Sequence, residues 1–219
     1  LMAAAIEPPR HAVTTVGSAL PRVNVAAVDI GAYEYGNTGV IAPAPTPTPP
    51  AAAVPVTLRP SEDTFVRDGI YAATNFGSSS VLDLKTDTSP NLTRDVYLRF
   101  DLGSVASVSA AKLRVHAVLS AADTVAATLY PVTGSWSEAT LTWNTRPGFV
   151  STSPLGSFSV TSTSAAWKEL DVTVHVKAEH VAGRRQISLA LHAPAASVEK
   201  MTLSSREAAS NRPELIVTP

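Results

Sequence analysis

Hydrophobic and polar residues alternate with a period of two along most of the chain from Val56 to the C-terminus. In the segment DVYLRFDL, at 95–102, the apolar positions Val96, Leu98 and Phe100 fall on one side, with polar residues between them. A period of two is typical of a β-strand that has one face in a core and the other in water. Turn-forming residues interrupt such segments at intervals of about 8 to 15 residues, as they do in antiparallel sandwiches.

The same alternation identifies the other candidate strands. They are DTFVRDG, SVLDLKT, AKLRVHAVL, VAATLYPV, GSFSV, WKELDVT, RRQISLALHA, KMTLSSRE and ELIV. Only DVTVHVKAEHVAG has a composition that would suit a short helix. The sequence therefore predicts an all-β domain with the architecture of an antiparallel two-sheet jelly-roll sandwich.

A proline-rich block, IAPAPTPTPPAAAVP at 41–55, separates this domain from the start of the chain. Each proline fixes φ near −65° and lacks a backbone N–H donor, so neither a helix nor a central strand forms there. We predict an extended spacer, which divides the chain into a segment at 1–36, a Pro/Thr/Ala-rich linker at 37–55 and a sandwich module at 56–219. We expect the chain to be the C-terminal part of a longer protein.

Composition narrows the classes of function. The formal net charge is −1, without the basic excess that nucleic-acid binders usually carry. No apolar run approaches the roughly 20 residues that span a bilayer. Cysteine is absent, which excludes a disulfide framework and a zinc–thiolate site. We expect a monomer whose partners include neither nucleic acid nor a membrane.

Several blocks of the module resemble a known family. The stretch EDTFVRDGIYAATNFGSSSVLDLKT at 62–86 is similar to the opening of the bacterial DNRLRE domains, which overlap carbohydrate-binding module family 96. Further similar blocks follow in order: DVYLRFDL, ASVSAAKLRVHA, GSWSEATLTWNTRPG, WKELDVTVHVKA and LSSREAASNRPELIV. The resemblance covers nearly all of 56–219 and implies a β-sandwich that binds a polysaccharide. The ligand described for the family is alginate.

A second resemblance concerns the N-terminal segment. VGSALPRVNVAAVDIGAYEYG at 16–36 is similar to the closing segment of right-handed parallel β-helix proteins, in which a VDIGAYEY-like string ends the last coil. Such proteins include polysaccharide lyases and large surface proteins. The resemblance implies that residues 1–36 are the tail of a truncated β-helix domain, and that the missing domain is of the polysaccharide-lyase type.

No catalytic site is expected in the chain itself. Its five histidines are scattered, and there is no HExxH, GxSxG, P-loop or GxGxxG element. Paired carboxylates hydrolyse glycosides in many enzymes. However, neighbouring acidic residues on strands, such as Glu62 with Asp63 and Glu169 with Asp171, usually just face solvent.

Polyuronate recognition would require cations and hydrogen-bond donors along an open sheet face, because each uronate carries a carboxylate. Arginine offers a bidentate fork and lysine a point charge. Outward positions of neighbouring strands, with two arginines nearby, supply the predicted ligand-binding residues: Arg67, Lys85, Arg94, Tyr97, Arg99, Lys112, Arg114 and His116. The alternative is a solvated surface of weak salt bridges, and the sequence does not show that these sets of residues adjoin.

The tryptophans divide into two groups. Trp136 and Trp143 are expected in the core, because GSWSEATLTWN looks like a strand–turn–strand lock with buried indoles and satisfied N–H groups. Exposed tryptophans of sugar-binding modules often stack on pyranose rings. For Trp167 the sequence leaves burial and sugar stacking about equally open.

A structural Ca²⁺ is a further expectation. Sandwich modules that bind sugars frequently hold one with carboxylates and backbone carbonyls near the chain ends. The candidate ligands are Asp63, Asp68 and Glu207, from the first and nearly the last block, which should lie close together. Because Asp68 precedes Gly69, ordinary turn capping is the alternative for that residue.

These observations favour a secreted or cell-surface bacterial module that binds carbohydrate and is not itself an enzyme. It would target a polysaccharide-degrading enzyme to an acidic polysaccharide, which the family resemblance implies is alginate. The alternative is a structural or adhesive β-sandwich domain of a bacterial surface protein, without a sugar ligand. The regular strands and the nearly neutral charge fit both hypotheses equally well.

Overall fold

The computed structural model describes residues 53–219. The predicted β-helix tail at 1–36, and the predicted linker at 37–55 except for its last three residues, lie outside the described residues. The statements below concern the described part of the chain.

The described residues form eleven strands and one α-helix. In chain order these are β1 (Val56–Leu58), β2 (Glu62–Arg67), β3 (Val81–Leu84), β4 (Arg94–Asp101), β5 (Ala110–Leu119), β6 (Val125–Pro131), β7 (Gly156–Val160), β8 (Ala166–Asp171), α1 (Thr173–Val181), β9 (Gln186–His192), β10 (Met201–Ser204) and β11 (Glu214–Thr218). The predicted all-β class and the predicted short helix are confirmed. The three-residue strand β1 is an addition, because its length gives no alternation to detect.

Two sheets make up the sandwich, and their strands pair in antiparallel fashion throughout. Sheet A contains β1, β11, β5, β10, β3 and β8, and sheet B has the order β2-β4-β9-β6-β7. The long strand β5 organises sheet A. Strands β11 and β10 follow one another along one edge of β5, and β8 pairs with its other edge.

The main core lies between the two sheets. Val96, Leu98 and Phe100 of β4 are fully buried there, as the alternation predicts, and so are Leu113 and Val115 of β5. Burying a large apolar side chain contributes roughly 1.5–3 kcal/mol. These inward rows therefore stabilise the packing of one sheet on the other.

The helix α1 connects β8 to β9. Its residue Val176 is buried in the main core, and the backbone N–H of Val172 donates to the carbonyl of Ala111 at 3.0 Å. None of the helices within residues 53–219 has the length and hydrophobicity needed to cross a membrane.

A second, smaller hydrophobic cluster lies on the face of sheet B that points away from the main core. Its buried members are Val66, Tyr97, Trp136, Leu141 and Ala190. It is covered by the segment 132–155, which we call the β6–β7 connection. This segment contains GSWSEATLTWN, and here the prediction of a strand–turn–strand lock is wrong, because the block forms successive turns without a strand.

The prediction for the two indoles of this block is correct for one of them. Trp136 is 8% exposed, and its Nε1–H donates to Ser188 Oγ at 3.2 Å. Trp143 is only partly buried and packs at the edge of the small cluster. Both indoles pack on the apolar outer face of sheet B, so the connection that carries them needs no strands of its own.

Candidate functional site

The predicted ligand-binding residues of β5 lie on the outer face of sheet A. Arg114 stands directly opposite Glu169 of β8 on one side and Glu214 of β11 on the other. Its guanidinium forms ion pairs with both carboxylates, at 2.9 and 3.0 Å. Lys112 Nζ pairs with the same Glu169 at 2.8 Å. Arg114 and Lys112 therefore already have carboxylate partners, which lowers their attraction for a polyanion.

Trp167 lies on the same outer face as His116, the third predicted ligand-binding residue of β5. The indole is half-buried and stands opposite His116, with 5.3 Å between the two ring centroids. The Arg114 guanidinium lies 4.5 Å from the centroid of the indole. A ligand role for His116, Arg114 and Lys112 stays a prediction.

The two predicted ligand-binding residues in the middle of β4 lie on the outer face of sheet B, under the β6–β7 connection. Tyr97 is fully buried, and its hydroxyl donates to the Pro147 carbonyl at 2.9 Å. Arg99 pairs with Glu62, and its guanidinium also lies over the Trp136 ring, 4.6 Å from the centroid. Both side chains thus bind the connection to the sheet, so their outward direction does not expose them as a strand pattern alone would imply.

The remaining predicted cations form one row at the end of the sandwich where β3 ends and β4 begins. Arg67 at the end of β2 stands directly opposite Arg94, the first residue of β4. On its other side Arg94 pairs through its backbone with Lys85, the residue that follows β3. We call these three residues the cation row. Like charges at directly opposite positions destabilise a sheet, so this arrangement calls for compensating negative charge.

The cations of the row are unequally compensated. Lys85 Nζ lies 3.0 Å from Asp87, and Arg94 Nε lies 3.9 Å from Asp83 without forming a hydrogen bond. Arg67 has no carboxylate within 4.0 Å among residues 53–219, and its Nε donates to a backbone carbonyl, that of Asn91. Its guanidinium also lies 3.7 Å from the centroid of the Tyr71 ring. Burial, with Arg67 alongside, lowers the pKa of Arg94.

A cluster of acidic side chains gathers where β2 begins. Asp63, Glu138 and Glu207 each contribute a carboxylate oxygen, and these oxygens all lie within 4.8 Å of one another. Arg206 is the accompanying cation, and it donates from Nε and Nη2 to the two oxygens of Glu138 at 2.8 and 2.7 Å. We call Asp63, Glu138 and Glu207 the acidic cluster.

The sequence-based metal prediction is corrected at one of its three residues. Asp63 and Glu207 come together as expected, but Asp68 lies just beyond the opposite end of β2. Five residues of strand span roughly 16 Å, which is too far for a shared ion. The Asp68 carboxylate instead accepts a hydrogen bond from the backbone N–H of Thr93 at 3.0 Å. Glu138 takes the third position.

Two carboxylate oxygens of the acidic cluster are buried without a hydrogen-bond partner. They are Asp63 Oδ1 and Glu207 Oε2. Asp63 itself is 0% exposed, and its other oxygen accepts from the backbone N–H of Arg206 at 2.7 Å. Burial is the main cause that raises the pKa of Asp63 to about 8.

The position of Glu138 depends on the loop after β2. The side-chain amide of Asn75 donates to the carbonyls of Glu138 and Leu141, at 2.7 and 2.8 Å. A Cβ atom on Gly77 would lie 2.3 Å from the Glu138 carbonyl oxygen, so only glycine allows this close approach. The loop therefore fixes the β6–β7 connection and brings Glu138 to the start of β2.

An open cavity of about 730 Å³ lies between the outer face of sheet B and the β6–β7 connection. Its floor comes from three neighbouring strands and consists of the partly buried Tyr130 and His192 together with the fully buried Tyr97, while Trp143 and Phe149 belong to its walls. We call it the aromatic cavity. The sequence did not predict this cavity, because more than half of its lining comes from the β6–β7 connection, which has no periodicity. The local group of Trp143, Asn144, Arg146 and Phe149 was the only indication in that segment.

Comparison with known proteins shows the family to which the chain belongs. The family model described as carbohydrate-binding module family 96 matches residues 54–219. Among curated proteins, the chain is similar to a gellan lyase from Bacillus sp, with 29% identity over 174 residues. That match covers 76% of this chain and 7% of the gellan lyase, so the chain spans only a small part of that relative.

Similar solved structures are two cleaved adhesin domains of Lys-gingipain from Porphyromonas gingivalis. The K1 domain has 11% identity and a TM-score of 0.38, covering 76% of this chain and 99% of that one. The K3 domain has 9% identity and a TM-score of 0.35, covering 64% of this chain and 72% of that one. Both scores are below 0.5, and neither likeness bears on function.

Proposed function

Because the chain belongs to carbohydrate-binding module family 96, we propose that its residues 54–219 bind an acidic polysaccharide without cleaving it. The observation that carries the proposal is the cation row, in which Arg67 and Arg94 occupy directly opposite positions. An arriving carboxylate would pair with Arg67, the member of the row that has no carboxylate within 4.0 Å among residues 53–219. The outer face of sheet A fits a polyanion less well, because both Lys112 and Arg114 already have carboxylate partners.

The proposed ligand is a polyuronate such as alginate, the polymer that the family resemblance implies. Each uronate carries one carboxylate, so successive sugar units offer successive partners to a row of cations. Arg67 has both a guanidinium fork and the adjacent Tyr71 ring, on which an apolar face of a sugar could lie. We expect an affinity in the micromolar to millimolar range, equivalent to about 4–8 kcal/mol.

The role proposed for the module is to hold a polysaccharide-degrading enzyme near its substrate outside the bacterial cell. The similarity to part of a gellan lyase supports this proposal, since that protein's name describes a polysaccharide lyase of which the matching segment is a small fraction. A tethered module raises the effective concentration of polymer at the attached active site. Gellan is therefore a second candidate ligand.

Affinity electrophoresis tests the ligand class. The full chain should be retarded in native gels that contain alginate or gellan, and it should migrate normally in a gel with a neutral glucan. Retardation should weaken as ionic strength rises, because exposed charges are screened beyond about 10 Å at 0.1 M salt. Unretarded migration in both acidic polymers would contradict the proposal and favour a structural or adhesive domain without a sugar ligand.

A double substitution tests the cation row. Arg67→Gln with Lys85→Gln should weaken binding to alginate about tenfold, since the loss of two charge contacts of under 1 kcal/mol each approaches 1.4 kcal/mol. The matched control is Arg59→Gln with Lys177→Gln, which removes two charges elsewhere and should bind like the parent chain. If Lys112→Gln with Arg114→Gln abolished binding instead, the ligand would lie on the outer face of sheet A and the row would be the wrong site.

We also propose that the acidic cluster binds a Ca²⁺ ion. Calcium prefers carboxylate and carbonyl oxygens, and the cluster offers three carboxylates against the single guanidinium of Arg206. The fit is supported by Asp63 Oδ1, a fully buried oxygen without a hydrogen-bond partner that an ion would satisfy. The ion would tie together the start of β2, the β6–β7 connection and the segment after β10.

A further inference from the structure

The aromatic cavity has a floor that follows from the pairing of three strands. Tyr97 of β4 and Tyr130 of β6 both stand directly opposite Ala190 of β9. Ala190 and Tyr97 are fully buried in the small cluster, whereas Tyr130 is only partly buried. His192 comes two residues later on β9, on the same side of the strand, and extends this floor.

The walls of the cavity are held by contacts that exist without a ligand. The rings of Phe149 and Tyr130 are stacked, with 5.0 Å between their centroids, and Phe149 also lies 5.3 Å from the His192 ring. The Arg146 guanidinium lies 3.4 Å from the centroid of the Trp143 ring, and it donates to the carbonyl of the same residue. Binding to such an ordered site loses little conformational entropy.

The polar groups of the cavity are arranged around one buried carboxylate. Asp95 Oδ1 lies 2.7 Å from Nδ1 of His192, and Asp95 Oδ2 lies 3.9 Å from Nε of Arg146. When Nδ1 donates to Asp95, Nε2 of the uncharged ring can accept a hydrogen bond from a sugar hydroxyl. The Arg146 side chain is 28% exposed, so part of its guanidinium remains accessible to a ligand carboxylate.

We propose that the aromatic cavity is a separate subsite for one uronosyl unit of the polysaccharide, whose ring packs on the aromatic lining and whose carboxylate binds Arg146. The volume of the cavity falls in the range of about 300–1,000 Å³ that is usual for small-ligand sites. Aromatic rings with a few convergent polar groups match a pyranose, which has apolar C–H faces and a hydroxyl rim. This inference rests on the proposed polysaccharide function and adds a second site to the cation row.

Calorimetric titration of the full chain with a tri-uronate prepared from alginate tests the subsite. Arg146→Gln should weaken binding about tenfold, because a charge-assisted contact is lost. Phe149→Leu keeps a similar apolar volume and should also weaken binding. The matched control is Arg184→Gln, which removes an exposed arginine paired with Glu179 and should bind like the parent chain. Unchanged melting temperatures would show that the variants fold.

The position of the sugar can be read from the indole N–H signals in nuclear magnetic resonance spectra. The signal of Trp143 should shift during the titration, whereas that of Trp167 on sheet A should not. A shift of Trp167 alone, or parental affinity of a folded Arg146→Gln variant, would overturn the cavity as the subsite. If polymer binding still depended on Arg67 and Lys85 in either case, the proposed function would stand. Failure of the cavity subsite can therefore be distinguished from failure of the proposed function.

Discussion

Replacing Glu138 with alanine is expected to lower the free energy of unfolding by about 3 kcal/mol. The Glu138 side chain accepts hydrogen bonds from the backbone N–H of Asp63 at 2.9 Å and from the guanidinium of Arg206. Removal leaves the backbone donor of the fully buried Asp63 without a partner, which costs about 1–3 kcal/mol. It also takes two charge-assisted hydrogen bonds from Arg206, which keeps its ion pair with Glu207. Urea unfolding followed by tryptophan fluorescence would measure the loss.

The control for this substitution is Glu169→Ala on the outer face of sheet A. Glu169 also forms ion pairs with two basic residues, but these pairs are exposed to solvent. Surface pairs are weakened by water and salt, so the urea midpoint should barely move. Equal losses in the two variants would mean that burial does not determine the cost, and would contradict this account of Glu138.

Calcium is expected to raise the melting temperature of the chain by about 5–10 °C. Extracellular modules typically bind Ca²⁺ with dissociation constants of about 10⁻⁴–10⁻³ M. A hundredfold excess of ion over the dissociation constant stabilises the folded state by about 2.7 kcal/mol, and 1 kcal/mol corresponds to about 2–4 °C for a domain of this size. Differential scanning calorimetry with added calcium and with a chelator would measure the shift.

Two aspartates at opposite ends of β2 provide a matched pair for this experiment. Asp63→Asn should abolish the calcium-dependent shift, because it removes the buried carboxylate. Asp68→Asn changes the same residue type but should keep the shift, since Asp68 contacts Thr93 and not the cluster. A shift that persists in Asp63→Asn, or its absence from the parent chain, would refute a calcium site at the acidic cluster.

The strands could be predicted from the sequence because apolar and polar residues alternate within each of them. In β4 and β5, alternate residues such as Val96, Leu98, Leu113 and Val115 are apolar, and the main core buries each of them. The same alternation correctly predicts which side chains point away from that core. It does not report what lies over the outer face. Tyr97 points outward as predicted, yet the β6–β7 connection covers it completely.

The acidic cluster and the aromatic cavity were less accessible to sequence reasoning because they join segments that are far apart in the chain. Glu138 reaches Asp63 only because Asn75 and Gly77 fix the carbonyl of Glu138 at the start of β2. No periodicity encodes that contact. Asp68 illustrates the opposite error, since it is near Asp63 in sequence but an extended strand carries it away. The cation row was predicted in part. Its three residues were named as ligand-binding residues from the sequence, but the sequence did not show that they lie next to one another.

The pairing of β1 with β11 determines where the preceding chain joins the module. Val56 pairs with Val217, which in turn pairs with Ala111 near the start of β5. Leu84, just before the cation row, pairs with Met201, and Met201 in turn pairs with Leu119 at the other end of β5. Eight residues of strand, or about 25 Å, separate these two levels. A polymer held at the cation row would thus lie at the opposite end of the sandwich from Val56, where β1 begins.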